Sequence, residues 1–162
     1  MSRGAIGIAI LALAMAVCLS QPALAQSQTT VTGAGAAALP AGSSYNGVSL
    51  SGLRFGMGVS IASNGTASGD FESTLLGTAG GQSRTIAVVG KPSSGSVPSA
   101  GRATFSGLCV VNMGDGTPPL TGVPFTATAV AGVGSTESLT LTLGSTNLPT
   151  ATGSDGRITV AK

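Results

Sequence analysis

The stretch "LRFGMGVSI", Leu53 to Ile61, decides how this chain is read. Its alternate positions Leu53, Phe55, Met57, Val59 and Ile61 are all apolar, and Arg54, Gly56, Gly58 and Ser60 between them are polar or bare. Side chains of a β-strand alternate between two faces. Strict period two over these nine residues therefore predicts a strand with one buried face. Gly56-Met57-Gly58 also resembles the opening of a phosphate-cradling loop. A dinucleotide fingerprint needs a third glycine at position 61 and a helix after it. Position 61 is Ile61, and Ser63-Asn64-Gly65-Thr66 follows. Asn-Gly between alternating runs signals a hairpin. The two glycines thus sit on the outward face, where each costs about 0.5–1 kcal/mol in a strand interior. Either a twist or bulge accounts for them, or another backbone lies flat on that face.

Working outward, the pattern repeats. A return strand runs from Ser68 to Leu76, with Phe71, Ser73 and Leu75 on one face. Further strands are predicted over Arg84–Gly90, Arg102–Met113, Val123–Val130, Ser138–Leu143 and Arg157–Ala161. Between them, Gly77–Ser83 reads as a loop, Lys91–Gly101 as a long exposed loop rich in Ser, Gly and Pro, Gly114–Pro119 as a turn, and Asn147–Ser154 as a connection. Five buried side chains contribute about 8–15 kcal/mol, against about 9–18 kcal/mol of backbone entropy for a nine-residue strand. The strand therefore needs a second layer to share its core. About seven or eight strands, with no helix beyond the leader, predict an all-β fold: an antiparallel β-sandwich, or alternatively a small β-barrel. An outer-membrane barrel also alternates, but it carries aromatic girdles, and aromatics make up only 3% of this chain.

The leader has its own layout. Arg3 precedes an apolar run from Ile6 to Leu19, then Gln21-Pro22 and a small-x-small motif, Ala23-Leu24-Ala25. This is the pattern of a secretory signal helix cleaved between Ala25 and Gln26. The run is shorter than the roughly 20 residues of a spanning helix. Val17 before Cys18 is too large for a lipobox. The expected organisation is a signal peptide at 1–25, a flexible lead-in at 26–44 holding a first strand near Thr29 to Thr32, and one β-domain at 45–162. A bacterial protein exported to the periplasm or secreted is expected, with no stable membrane insertion of the mature chain.

Composition removes much chemistry. There is no histidine, hence no common general base and no Ser-His or Cys-His pair. Beyond the leader Cys109 is the only cysteine, so neither an internal disulfide nor a cysteine-ligated zinc site can form. Charged residues are 7% of the chain, with a net charge of +2 and no run of one sign. Nucleic acid is not an expected partner.

The remaining candidates are carboxylates. Asp70 and Glu72, two apart on one strand, project to the same face about 7 Å apart. Such a pair can run glycoside hydrolysis, although opposite a core-facing Phe71 it reads as a solvated strand face. Asp115 in "NMGDGTPP" and Asp155 in "GSDGR" suit side chains that bond their own turn, or ligands of a calcium site. Cys109, in phase with Phe105, Val111 and Met113, reads as a buried thiol. The function expected is a non-enzymatic structural, adhesive or interaction role at or outside the envelope, through self-association or an envelope or matrix partner and with no cofactor. A small calcium- or saccharide-binding module using Asp115 and Asp155 is the alternative, and a hydrolase using Asp70 and Glu72 a third.

Overall fold

The computed structural model describes residues 27–162; the expected signal peptide and its cleavage between Ala25 and Gln26 lie outside them. Eleven strands follow one another: β1 (Gln28–Ala38), β2 (Ser44–Tyr45), β3 (Val48–Ala62), β4 (Ala67–Ala79), β5 (Gln82–Ser99), β6 (Arg102–Asn112), β7 (Leu120–Val130), β8 (Gly132–Val133), β9 (Ser138–Leu143), β10 (Thr146–Asn147) and β11 (Ala151–Ala161). Three of them, β2, β8 and β10, are two residues long. The eight others are the principal strands, in line with the predicted all-β antiparallel class.

They form one sheet in chain order, β1-β3-β4-β5-β6-β7-β9, every neighbour antiparallel. β11 then pairs with both β1 and β9 and closes the sheet into a ring. Closure removes the edge strands that would otherwise template aggregation. The opposite walls of the ring share the core that a sandwich would build from two separate sheets.

The quoted stretch lies within β3 as expected. Leu53, Phe55, Met57, Val59 and Ile61 are buried, and Arg54 and Gly58 are exposed. In the turn after it, Asn64 Oδ1 accepts the Thr66 N–H at 2.9 Å and Gly65 takes φ +84°. The return strand follows in register, with Met57 opposite Phe71 and Leu53 opposite Leu75. Phe71 stacks on Phe125 at 5.4 Å between ring centres, and Phe105 meets Phe71 edge-on at 5.7 Å. Rings from β4, β6 and β7 thereby tie the walls together, each pair contributing about 0.5–1.5 kcal/mol beyond its buried area.

Four expectations give way. The flexible lead-in is an eleven-residue strand, β1, paired on both sides; its Ala and Gly side chains hide the period-two signal. Lys91–Gly101 is not a loop, because β5 runs on to Ser99 beside β6. Pro92, which cannot donate to a ladder, sits at the register shift between Pro92 and Ser94, where the ladder is interrupted. The last strand is longer than Arg157–Ala161: β11 starts at Ala151, with a register shift opposite Ala36/Ala37. Gly77–Ser83 shrinks likewise to a tight Gly80-Gly81 turn between β4 and β5, both glycines at positive φ. That is the two-residue hairpin geometry whose twist suits the flanking strands.

Candidate functional site

The ring has two unlike ends. At one, Leu39 and Tyr45 fold inward and are buried, and burial raises the Tyr45 phenol above its ordinary range. At the other end a depression of about 460 Å³ opens between the start of β1, the β3–β4 turn and the far part of β5. Thr29, Ile61, Asn64, Gly95 and Val97 line it, and Lys162 is its one ionisable side chain.

The predicted carboxylates do not converge. Asp70 is exposed and forms an ion pair with Lys91 of β5, and Glu72 lies beside it on the same outward face. This is a solvated strand face, as the alternation implied. Asp115 is used by its own turn: it accepts the Thr117 N–H at 3.0 Å and the Thr117 hydroxyl at 2.6 Å. Those two bonds, helped by Arg84, hold its carboxyl below the usual range. Asp155 is exposed on β11 at the register shift. No group of three or more Cys, Asp or Glu side chains gathers among the described residues.

Cys109 is buried, and burial pushes its thiol up to about 11. Gly56 and Gly58 mark no bulge, and no backbone among the described residues lies against their outward face. The β3 register runs unbroken past them on both sides, and a Cβ added to either finds nothing within 4 Å. The close backbone approach is one strand away, at Gly69 (φ +123°), whose missing Cβ would collide with the Gly58 carbonyl.

Two features escaped the sequence reading. The first is a strip of apolar side chains on the outer face of β5, β6 and β7. Leu108 is 58% exposed, Val89 47% and Val110 40%, and Pro124 is exposed beside them; Leu120, 45% exposed, pairs past a register shift with the inward Val111 and is not part of this strip. Val89 stands directly opposite Val110, and Leu108 opposite Lys91 on one side and Pro124 on the other, so the strip is continuous across strands. The signal lay in β6: "LCVV" puts apolar residues on both faces of an otherwise alternating strand.

The second is Glu137, 1% exposed at the start of β9. Neither of its carboxylate oxygens has a hydrogen-bond partner. Desolvation raises its pKa and Asp155 adds to the rise, while the nearby Ile158 N–H, outside hydrogen-bond geometry, partly opposes it. Only its phase with Leu139, Leu141 and Leu143 could have flagged it. No family model matches the chain, and no curated protein or solved structure is significantly similar to it.

Proposed function

We propose that the mature chain is an exported, non-enzymatic attachment protein that acts through the outer face of β5–β7, joining copies of itself or docking to an envelope or matrix partner. The observation that carries this reading is the strip Val89, Leu108, Val110 and Pro124. Contiguous exposed apolar surface rimmed by polar residues marks interaction sites, and Lys91, Asp70 and Glu72 supply the rim on one side. The sequence adds the leader and the absence of histidine. The same reading keeps the mature chain out of the bilayer. All four phenylalanines and the one tyrosine are inside the ring, whereas membrane barrels carry aromatic girdles outward.

Sedimentation over a concentration series, together with pull-down from envelope fractions, tests it. The wild-type chain associates or recovers a partner, and Leu108→Ser with Val110→Thr weakens that at least tenfold without lowering the melting temperature. A wild-type monomer that recovers nothing sinks the reading.

A further inference from the structure

Glu137 sits where the ring is least held together. β9 and β11 share two register pairs, Ala151 with Leu139 and Thr152 with Ser138. Beyond these, the gap is covered by a flap. β8 pairs with β11 at Arg157–Val133 and Ile158–Gly132, a 3-10 turn (Gly134–Thr136) follows, and the chain enters β9. The flap is stitched by the Val133 N–H bonding to Thr136 Oγ1 at 2.8 Å and by the Gly153 N–H bonding to the Glu137 carbonyl at 3.0 Å.

The Glu137 side chain lies beneath this flap. A Cβ on Gly153 would collide with Glu137 Cγ and the Gly134 carbonyl oxygen and stand 2.8 Å from Oε1, so the glycine makes the space that the carboxyl fills. An ionised carboxylate with no hydrogen-bond partner in such a place is strongly disfavoured, and a buried group of this kind neutralises instead. A neutral carboxyl offers one donor and one acceptor, and the Gly134 carbonyl flanks the same space as an acceptor. The surrounding charges do not help the ionised form. β8, the 3-10 turn, β9 and β1 carry no other ionisable side chain. On β11, Asp155 repels a second negative charge and Arg157 is exposed.

We propose that Glu137 is a proton-operated latch on the closing seam: with its carboxyl neutral the β8 flap lies shut on β11, and ionisation releases the flap and loosens the β9–β11 closure. The sign follows from linkage. Below the ordinary glutamate range both folded and unfolded chains hold the proton and the seam has its full stability. As pH rises from that range through the raised value, the unfolded or opened state loses its proton first and the seam weakens. Release frees strand edges on β9 and β11, the surfaces that pair with other strands.

Amide exchange of the wild-type chain and of Glu137→Gln, compared at the same pH so that intrinsic rates cancel, tests the latch. At pH 4.5 the two protect Gly153 and Ile158 equally. At pH 8 the wild type exchanges at least tenfold faster there, while Val88 on β5 stays equal in both. If Glu137→Gln does not fold, the wild type alone decides: protection at Gly153, corrected for intrinsic rate, falls from pH 4.5 to 8 relative to Val88. Parallel behaviour at the two sites overturns the latch. So does protection at pH 8 that millimolar calcium restores, since the carboxylate is then held by a cation and not by a proton.

Discussion

Gly56 and Gly58 lower stability with no compensating contact inside the chain, since an added Cβ meets empty space at both. Gly58→Thr places a β-branched residue on an open strand face and is expected to raise unfolding free energy by about 0.5–1 kcal/mol, read as a higher urea midpoint at unchanged slope. Gly90, on the buried side of β5, predicts the opposite. Its Cβ would stand 2.7 Å from the Phe125 ring, so Gly90→Ala costs about 1–3 kcal/mol by overpacking. Were both changes neutral, glycine placement would not track packing in this ring. Cys109 gives a third residue-scale expectation. With its thiol pushed up to about 11 by burial, the thiolate is scarce at pH 8, and a thiol reagent labels the chain only after denaturant is added. Rapid labelling of the native chain would contradict its burial.

At the scale of elements, the Gly80-Gly81 turn sets the register of β4 on β5. Their φ values of +57° and +76° lie where a Cβ is strained. Gly81→Ala is therefore expected to cost about 1 kcal/mol, and an Asn-Gly pair at 80–81 to restore it, both measured by thermal melting. Legibility in the sequence follows the side chains. β3 and β4 were plain because large apolar residues alternate with polar ones. β1 was obscured because Ala and Gly give the two faces of a strand nearly equal hydropathy. The far half of β5 was obscured because Pro92, its serines and Gly95 carry loop propensities that pairing with β6 overrides. The exposed position of the Asp70–Glu72 face and the self-bonded Asp115 were readable from local rules. Glu137 was not, because what makes it unusual is the docking of the flap that precedes it onto β11, and the Gly153 space that β11 supplies, and this tertiary pairing leaves no local signal.

For the whole molecule, ring closure is the feature on which the others depend, and β1 is its keystone. β1 runs beside β3 from Gln28–Ala62 to Ala38–Gly52 and beside β11 from Thr30–Ala161 to Ala38–Thr152. Val31 from its inner face is fully buried. Removing residues 27–38 takes away both ladders at once, leaves β11 held to β9 by the short seam at Ala151 and Thr152, and exposes the inner face of β3. Small all-β domains unfold as one cooperative unit when their core is continuous. The truncated chain is expected to lose its sharp calorimetric transition and to aggregate through the exposed edges of β3 and β11. A synthetic peptide of residues 27–38 supplies the same ladders in trans and is expected to restore a cooperative transition that rises with peptide concentration, because a ligand that binds only the folded state stabilises it by mass action. A scrambled peptide of equal composition does not restore it, since it cannot place Val31 and Ala37 inward together. If the truncated chain melts as sharply as the full one, closure through β1 is not what holds the fold together, and the short β9–β11 seam must carry more of the stability than its four paired residues suggest.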